Sequence, residues 1–383
     1  MKILWLASWY PDACEPVNGD FVQRHAKAVS TLMPIDVIHV VQSGKEVKTK
    51  KDCVYTIDGN LREWVYSFSF TKWGMGSIDK FRYHIKFWYF YRSLLLKYAR
   101  LNGKPNLVHV HVPMKAGIVA IEMTKRWGVP FIVSEHSSLY DPVATDNFLR
   151  RSFFFRYYTK KIFKNAACIT CVSKAIASRI QQIAGDKKIE IIRNVVDTTL
   201  FNYQLPLSTN FKWLHVSSMQ PVKNVAAILK AFQQFYLLRQ DWKLEMVGPF
   251  NEMHLQWVRE AGLSNHIFFR GEVSHNQVAI KMKEASAFVL FSKYENFPCV
   301  ILEALCCGLP VVSSNVGGTN EAVNRSNGIL VESENIDQLT KALQNMMTNY
   351  YQYNRILIAK EADSKYAVPV IAKQFVQLYQ RLL

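Results

Sequence analysis

Residues 288–312 read Phe-Val-Leu-Phe-Ser-Lys-Tyr-Glu-Asn-Phe-Pro-Cys-Val-Ile-Leu-Glu-Ala-Leu-Cys-Cys-Gly-Leu-Pro-Val-Val. The apolar start predicts a buried strand, and Pro298 predicts that a helix follows at once, because proline suits the first helical turn. Glu295 then stands at the carboxyl end of the strand, and Glu303 lies on the helix. In open α/β sheets, ligands bind in the crevice outside the carboxyl ends of the strands. The stretch therefore predicts a small-molecule site in an α/β fold.

The spacing of the two carboxylates is weak evidence by itself. Glu252 and Glu260 have the same spacing, in a stretch whose pattern predicts an amphipathic helix with a solvated polar face. The pair at 295 and 303 differs because it follows a predicted buried strand and turn. Its position, rather than its spacing, favours a binding site.

Strand and helix patterns alternate along both halves of the chain. In the first half, strands are predicted at 2–7, 35–41, 107–112, 130–134, 167–172 and 188–192, and helices at 20–32, 78–101, 114–127, 146–165 and 174–184. In the second half, strands are predicted at 212–217, 243–247, 266–270, 286–291, 310–313 and 328–331, and helices at 224–239, 251–262, 274–285, 298–307 and 335–349. Such alternation predicts parallel sheets covered by helices on both faces. We therefore expect an α/β protein with two Rossmann-like domains and a cleft between them.

The domain boundary is expected at a polar stretch that contains a proline, residues 202–211. We expect a first domain over residues 1–203, a second over 204–365, and a C-terminal helix over 366–383 that returns to the first domain. No G-x-G-x-x-G follows the first strand of either half, and G-x-x-x-x-G-K-[ST] is missing from the sequence. A dehydrogenase and a P-loop enzyme are therefore disfavoured.

Several features bear on location and metal binding. No apolar run is long enough to span a bilayer, and the apolar start is too short for a secretory signal, so we expect a cytoplasmic protein. The seven cysteines lack a framework spacing, which favours reduced thiols. Cys168 and Cys171 share a strand, where residues three apart face opposite sides, so zinc is disfavoured. His109 and His111 share a strand face without a third ligand nearby in sequence, and packing is favoured over a metal site.

The net charge of +17 is uneven. Residues 1–203 hold 30 basic and 16 acidic residues, and two stretches in that half, 80–104 and 148–164, contain no acidic residue. Both stretches predict amphipathic helices with a basic stripe and aromatic side chains. Such helices can lie on an anionic membrane surface or simply expose a solvated stripe, and the residues alone leave both interpretations open.

Other candidate residues fall where predicted strands end. Lys223, beside a helix start, suits an anion, and Gly317 and Gly318 permit a close backbone approach. His136 follows the strand at 130–134 and faces the expected cleft. The remaining candidates at strand or loop ends are Gly19, Asn194, Ser218, Gly248 and Glu321.

Taken together, these residues resemble the glycosyltransferase family 4 enzymes of bacterial surface-polysaccharide type, which are retaining transferases of GT-B fold that use nucleotide sugars. The resemblance covers nearly the whole chain. It is strongest over 286–324 and weakest over 42–105. It implies that the first domain binds the acceptor and that the second binds the nucleotide sugar.

The resemblance also implies roles for individual residues. Glu295, His136 and Lys223 would be catalytic: Glu295 contacts the donor sugar and supports positive charge at the reacting carbon, His136 touches the sugar, and Lys223 binds the diphosphate. Glu303 would bind the ribose hydroxyls. The other donor-binding residues would be Ser218, Asn296, Phe297, Val300, Gly248, Gly19 and Asn194. The acceptor or sugar side would carry Gly317, Gly318 and Glu321.

One departure from the family pattern concerns the diphosphate. The family usually has Gly-Arg ahead of the lysine, but Ser217 and Ser218 stand there. A serine hydroxyl gives a neutral hydrogen bond, and a charge-assisted one is roughly twice as strong. Either Lys223 and the helix start suffice, or Arg24 or Arg193 supplies the second cation. No Asp-x-Asp motif of the metal-dependent transferases is present, so we expect no metal.

The implied reaction moves a sugar from a nucleoside diphosphate, expected to be UDP, to a saccharide or lipid-linked saccharide acceptor. The acceptor hydroxyl attacks from the face that the phosphate leaves, and configuration is retained. The expected location is cytoplasmic, with contact to the inner face of the membrane. Two alternatives are a nucleotide-sugar epimerase of GT-B fold, which needs no acceptor, and a basic nucleic-acid-binding protein, for which no motif is present. No nucleic-acid partner is therefore expected.

Overall fold

The computed structural model describes residues 1–42, 51–205 and 210–383. Part of the predicted linker, residues 206–209, lies outside the described residues. Within the described residues, two sheets are flanked by helices. The predicted α/β class with two Rossmann-like sheets is confirmed.

The first sheet has the strand order β3-β4-β2-β1-β5-β6-β7-β8 in the described part of the chain. Its elements are β1 (Ile3–Ala7), α1 (Asp20–Ser30), β2 (Ile35–Gln42), β3 (Lys51–Asp58), β4 (Leu61–Phe68), α2 (Gly76–Asn102), β5 (Leu107–His111), α3 (Ala116–Trp127), β6 (Phe131–Glu135), α4 (Phe153–Asn165), β7 (Cys168–Cys171), α5 (Lys174–Ala184) and β8 (Ile189–Ile191). Strands β1, β5 and β6 are fully buried, because helices cover both faces of the sheet.

The second sheet has the order β11-β10-β9-β12-β13-β14, and its pairs are parallel. Its elements are β9 (Phe211–Val216), α6 (Val225–Tyr236), β10 (Trp242–Val247), α7 (Glu252–Glu260), β11 (Ile267–Phe269), α8 (His275–Glu284), β12 (Ala287–Leu290), α9 (Cys299–Cys306), β13 (Val311–Ser314), α10 (Thr319–Ala322), β14 (Gly328–Val331), α11 (Ile336–Thr348), α12 (Arg355–Tyr366) and α13 (Val368–Leu382). From β9 the chain order runs outward to β10 and β11 on one side and to β12, β13 and β14 on the other. The loops after β9 and β12 therefore flank the topological switch point of the sheet, where ligands bind in such folds.

The last helix packs on the first sheet. Phe375 and Tyr379 of α13 are buried in the same apolar cluster as Trp5 of β1 and Val22 of α1. Helix α12 ends before α13 because Ala367 has extended backbone and pairs with Val196, and Pro369 then stands in the first turn of α13. The C-terminal helices therefore contact both sheets, since α12 lies against α9 and α13 lies against α1.

Two elements differ from the sequence prediction. Strands β3 and β4 form an antiparallel hairpin that was not predicted, so the first sheet is not parallel throughout. Its outer strand exposes Val54, Tyr55 and Ile57, and an exposed edge does not impose the apolar pattern of a buried strand. Helix α4 begins at Phe153 rather than 146, because Ser152 caps it by accepting a hydrogen bond from the Phe155 N–H.

In the described ranges, no helix is both long enough and apolar enough to cross a bilayer. Most of each acid-free basic stretch lies on a helix, as predicted: residues 80–102 on α2 and residues 153–164 on α4. On α2, Lys86, Lys97 and Arg100 are exposed, whereas Arg82 pairs with Asp79 at 2.9 Å.

Candidate active site

A cavity of about 420 Å³ lies between the two sheets, at the carboxyl ends of their strands. The first sheet contributes side chains of the loops after β1, β6, β7 and β8, and the second contributes those after β9 and β12. The lining includes Trp9, Phe21, His136, Ser137, Asn194, Ser218, Gln220, Lys223, Tyr294, Glu295, Asn296, Phe297, Pro298 and Cys299. We call this space the interdomain cavity.

Glu295 stands in the turn between β12 and α9, as the sequence predicts. Its side chain is nearly buried, and its Oε1 accepts hydrogen bonds from Lys223 Nζ at 2.6 Å and from Ser292 Oγ at 2.7 Å. The carboxylate and the ammonium therefore meet at the wall of the cavity, where a ligand can engage both.

Glu303 lies one turn into α9 and is buried. Its Oε1 accepts hydrogen bonds from Arg24 Nη1 at 2.6 Å and from His275 Nε2 at 2.9 Å. Burial alone would raise the pKa of Glu303, but the hydrogen bond from His275 and the charge of Arg24 outweigh it and lower that pKa. Glu303 is thus held as a carboxylate between Arg24 of α1 and His275 of α8.

The loop after β9 carries Lys223 in a short 3-10 turn, Pro221–Lys223. Ser217 Oγ bonds the buried His215 Nε2 at 2.7 Å and accepts from the Met219 N–H at 3.0 Å, so it stabilises the loop itself. Ser218 is exposed and lines the interdomain cavity. It offers that cavity a neutral hydroxyl.

His136 and Asn296 meet across the cavity. Asn296 Nδ2 donates to the His136 carbonyl at 2.6 Å, which ties the second sheet to the first. Neither ring nitrogen of His136 has a hydrogen-bond partner among the described residues. Burial, assisted by the electrostatic interaction with His25, holds the pKa of His136 well below its usual value, so the ring is neutral.

Asn194 makes a second bridge between the sheets. Its Nδ2 donates to the Phe297 carbonyl at 2.7 Å, and its buried Oδ1 has no partner among the described residues. Val300 is half-buried on α9 and packs against the main apolar cluster. Asn194 and Phe297 line the interdomain cavity, whereas Val300 lies behind its wall.

The predicted site glycines lie behind the cavity rather than in its lining. A Cβ on Gly317 would stand 1.6 Å from the Glu295 carbonyl oxygen, and one on Gly318 would stand 2.3 Å from that of Asn296. A Cβ on Gly248 would meet the Ser217 carbonyl oxygen at 1.9 Å, and one on Gly19 would meet the Trp9 carbonyl carbon at 2.4 Å. Each glycine therefore permits a close backbone approach that positions a loop of the site, and the approaching group is the protein's own backbone.

Glu321 lies beside the start of α5. Its carboxylate accepts hydrogen bonds from the Lys174 and Ala175 N–H groups at 3.0 and 3.1 Å, at the start of α5. It also pairs with Arg193 Nη1 at 2.7 Å, and that guanidinium lies 4.6 Å from the centre of the Phe297 ring. Glu321 thus joins the two sheets beside the interdomain cavity.

A second cavity, of about 460 Å³, opens on the first sheet, and we call it the first-domain cavity. Trp9 and Ser137 line both cavities, so the two spaces adjoin. Its wall carries Glu135, which accepts from the backbone N–H groups of His136 and Ser137 at 2.8 Å each and from the Tyr140 hydroxyl at 2.7 Å. Burial raises the pKa of Glu135 to about 7.

Sequence reasoning overlooked Trp9, Phe21, Glu135 and His275. Glu135 precedes His136 at the end of β6. The argument that selected His136, its position at the carboxyl end of a strand, therefore also selects Glu135. His275 begins α8 and reaches Glu303 on α9 among the second sheet's own helices. Phe21 comes from the start of α1, and its approach to the second sheet's part of the site depends on how the two sheets dock. No local pattern in the sequence encodes that docking.

Within residues 1–42, 51–205 and 210–383, we find no group of three or more His, Cys, Asp or Glu side chains that could hold a metal ion. His109 instead bonds the Tyr379 hydroxyl at 2.8 Å and Ser134 Oγ at 2.7 Å, and His111 packs 4.0 Å from the ring centre of Trp5. Both histidines belong to the core below the interdomain cavity.

Two family descriptions match the sequence in order. Glycosyltransferase Family 4 matches residues 53–200, and Glycosyl transferases group 1 matches residues 198–362. The matches adjoin where the first sheet ends.

Curated relatives include glycosyltransferases. The putative teichuronic acid biosynthesis glycosyltransferase TuaC of Bacillus subtilis is 24% identical over 394 residues, covering 96% of this chain and 93% of that protein. An uncharacterized glycosyltransferase of Methanocaldococcus jannaschii is 29% identical over 245 residues, which cover 64% of this chain and 66% of that protein. The match to the archaeal protein thus spans just under two thirds of its length.

Solved structures share the fold along the whole chain. Sucrose-phosphate synthase from Thermosynechococcus elongatus has a TM-score of 0.78 at 17% identity, covering 100% of this chain and 99% of that one. Anabaena HepE in complex with UDP has a TM-score of 0.73 at 19% identity, covering 100% of both chains. With both family descriptions matched and this architecture shared, the chain is a glycosyltransferase that belongs to family 4 and has the two-domain GT-B fold.

Proposed function

We propose that the protein is a retaining transferase that moves a sugar from a UDP-sugar to a saccharide or lipid-linked saccharide in cell-surface polysaccharide synthesis. One observation carries the proposal. Two glutamates near the start of α9 are each bonded to a cation: Glu295 to Lys223 at the wall of the interdomain cavity, and Glu303, one turn into α9, to Arg24 of α1. A nucleotide sugar presents hydroxyls at both ends and a dianionic diphosphate between them, which matches this order of charges.

Support for UDP comes from the structural neighbours. The HepE structures hold UDP and UDP-glucose, and their chains match this one over its full length. Since the identity is below 20%, the likeness itself concerns the fold, and UDP is our proposal for this chain.

The proposed chemistry uses fixed protein groups. The bond between the sugar and the diphosphate breaks with positive charge developing on the sugar carbon, and the nearby Glu295 carboxylate stabilises that charge. Lys223 and the start of α9 stabilise the leaving diphosphate. The acceptor hydroxyl attacks from the same face and gives its proton to the leaving phosphate. The neutral His136 ring bonds a sugar hydroxyl, and Glu303 accepts bonds from the ribose.

We assign the second diphosphate cation to Arg24. Arg193 is held on three sides, by the Val172 carbonyl at 3.0 Å, by Glu321 and by the Phe297 ring. Arg24 is held only by carboxylates among the described residues, Glu303 and Asp20. When ribose hydroxyls occupy Glu303, Arg24 can turn toward the adjoining phosphate, which would offset the neutral Ser218. With these cations, we propose that no metal ion is needed.

The acceptor class rests on the relatives. TuaC is named for teichuronic acid biosynthesis and matches almost the full length of this chain, and a further relative is the Staphylococcus aureus protein CapJ. We propose that the acceptor enters the first-domain cavity, because that space adjoins the interdomain cavity at Trp9 and Ser137.

We further propose that the first domain contacts the inner face of the membrane. Exposed aromatic and basic side chains lie together on α2 and α4, among them Tyr89, Lys86, Phe153, Tyr157 and Lys160. Basic residues near an anionic surface contribute about 1 kcal/mol each. Pelleting with anionic vesicles should show binding that declines as salt rises, and an absence of salt-sensitive binding would contradict this contact.

The enzymatic proposal is tested by a thermal-shift panel of nucleotide sugars followed by product analysis. A bound donor raises the unfolding temperature by mass action, and a UDP-sugar should give the largest rise. NMR of the product should show the anomeric configuration of the donor. An inverted product would contradict the mechanism, and conversion of the donor without any acceptor would indicate an epimerase instead.

A further inference from the structure

A third cavity, of about 630 Å³, lies between α2, the start of α3 and α4. Its lining is mainly apolar and aromatic: Phe81, Ile85, Phe87, Trp88, Tyr89, Met114, Ile118, Val119, Phe154 and Tyr158, with Lys80, His84, Lys115 and Ser152 at its polar points. We call it the apolar groove. Several of its large side chains are open to solvent, including Phe81 at 66% and Phe154 at 46%. Exposed apolar surface of this kind marks binding sites more often than chance.

The apolar groove is continuous with the first-domain cavity. Met114 and Lys115 line both spaces. The three cavities therefore adjoin in series: the interdomain and first-domain cavities share Trp9 and Ser137, and the first-domain cavity and the groove share Met114 and Lys115. A molecule that reaches along this series has a polar end beside the donor and an apolar end between the helices.

Lys115 stands at the point where polar lining changes to apolar lining. Its Nζ bonds the Tyr83 hydroxyl at 3.2 Å and lies 5.4 and 5.5 Å from the ring centres of Tyr83 and Phe87. The backbone at Lys115 has a φ of 70°, and Ser8 Oγ holds the preceding turn by donating to the carbonyls of Val112 and Met114 at 2.8 and 2.5 Å. Such held, sparsely populated conformations cluster at functional sites.

We infer that the apolar groove binds the hydrocarbon chain of the acceptor, and that Lys115 binds the phosphate joining this chain to the saccharide. The acceptor is then a lipid phosphate or diphosphate with a sugar head. This inference rests on the proposed function, because it extends the acceptor site of that reaction. The charges are complementary, since the acid-free stretches 80–104 and 148–164 supply cations around the groove and no carboxylate is among its lining residues in the described chain.

The test uses the whole protein and farnesyl phosphate below its micellar concentration, in the absence of vesicles. Binding is measured by calorimetry. Farnesol, which has the hydrocarbon chain without the phosphate, and inorganic phosphate, which has no chain, serve as reference ligands. We expect farnesyl phosphate to bind at least tenfold more tightly than either. The double variant Ile85→Asn/Phe154→Asn should bind farnesyl phosphate at least tenfold more weakly than the wild type. Lys115→Gln should lower the affinity for farnesyl phosphate but leave the affinity for farnesol within twofold of the wild type.

The matched control is Ile356→Asn/Leu357→Asn on α12. These side chains are 47% and 60% exposed, comparable with 41% for Ile85 and 46% for Phe154, and they lie outside the groove. This control should bind farnesyl phosphate within twofold of the wild type. Equal losses in the groove and control variants would overturn the inference.

Two further measurements distinguish a failure of this inference from a failure of the proposed function, and lipid binding in the groove from contact with the membrane surface. Stabilisation by UDP should be unchanged in every variant, so a protein that fails to bind UDP yet binds farnesyl phosphate contradicts the proposed function alone. A groove variant that loses binding to anionic vesicles but keeps its affinity for farnesyl phosphate would show that this face meets only the membrane surface. That result would overturn the inference.

Discussion

Glu295, before the start of α9, and Glu303, one turn into it, occupy different surroundings. Glu295 is shared between a lysine and a serine at the cavity wall, whereas Glu303 is buried between an arginine and a histidine. A group at the wall can approach the reacting sugar, and a group one turn deeper can anchor a distant part of the ligand. The geometry thus favours separate tasks for the two carboxylates.

The first prediction concerns Glu295. In Glu295→Gln the hydrogen-bonding shape remains but the negative charge beside the sugar is lost, so kcat should fall about a hundredfold or more. Affinity for UDP should change by less than about threefold, because the nucleotide contacts lie elsewhere. Steady-state kinetics and calorimetry measure the two quantities. Near-normal kcat would exclude Glu295 from the chemistry.

The second prediction concerns Arg24. Arg24→Gln should weaken UDP binding by about tenfold, roughly 1.4 kcal/mol, because a charge-assisted contact to the diphosphate is lost. Arg259→Gln is the control, since Arg259 also pairs with a glutamate, Glu252, but on the exposed face of α7. If Arg24→Gln binds UDP normally and Arg193→Gln does not, then Arg193 is the second cation.

At the scale of elements, the turn between β12 and α9 depends on the loop after β13. Gly317 has a φ of 53°, and its Cα lies so close to the Glu295 carbonyl that a side chain cannot fit. The loops that hold Glu295 and the glycine pair are therefore mutually positioned. A sequence shows that glycine permits such an approach but does not show what approaches it.

The third prediction tests this packing. Gly317→Ala should destabilise the protein by about 3 kcal/mol or more and should also lower kcat, because the Glu295 turn must move. Gly128→Ala is the matched control: its φ is 71°, but no atom lies within 4 Å of the added Cβ. It should cost only about 1 kcal/mol and leave kcat unchanged. Similar losses in both variants, measured by urea unfolding, would contradict the packing argument.

The buried strands were predictable from the sequence because burial on both faces requires continuous apolar runs, as in β1 and β12. The hairpin of β3 and β4 was not predicted, although Asp58-Gly59-Asn60 supplies a turn signal between its strands. Strand β3 pairs on one side only and exposes much of its surface. Its residues are therefore free of the pattern that identifies the central strands.

At the scale of the whole molecule, a cluster of buried histidines lies where α1, α13 and the first sheet meet below the interdomain cavity. Ring contacts connect His25 to His136, His136 to His111 and His111 to His109. Burial lowers the pKa of His25 to about 4 and holds those of His109, His111 and His136 well below the usual range. The folded protein therefore keeps these rings neutral where the unfolded chain would protonate them.

The fourth prediction follows from the sign of these shifts. Because the folded pKa values lie below the unfolded value of 6.5, the histidines stabilise the fold above pH 6.5, and that contribution is lost as pH falls toward 4. Each histidine with a strongly lowered pKa should reduce the free energy of unfolding by roughly 1 kcal/mol when the pH falls to about 5.5. His111→Phe should make the free energy of unfolding less dependent on pH between 7.5 and 5.5, as measured in urea. An unchanged dependence would contradict this account.

The candidate site could be predicted from the sequence only within each domain. The residues at the ends of β12 and β6 were found because strand ends mark ligand sites in such sheets. The bridges across the cleft were not, including Arg24 to Glu303 and Glu321 to the start of α5. These contacts join residues far apart in the chain, and they depend on how α12 and α13 bring the two sheets together.

The central claim is that the interdomain cavity holds a UDP-sugar through Glu303 as well as Glu295. The most direct test is calorimetric titration of UDP into the wild type, Glu303→Gln and Glu260→Gln, which changes the same residue type in the exposed pair of identical spacing. We predict one UDP per protein, affinity lowered at least tenfold by Glu303→Gln, and no change in Glu260→Gln. Absence of UDP binding to the wild type, or equal affinity in all three proteins, would contradict the claim.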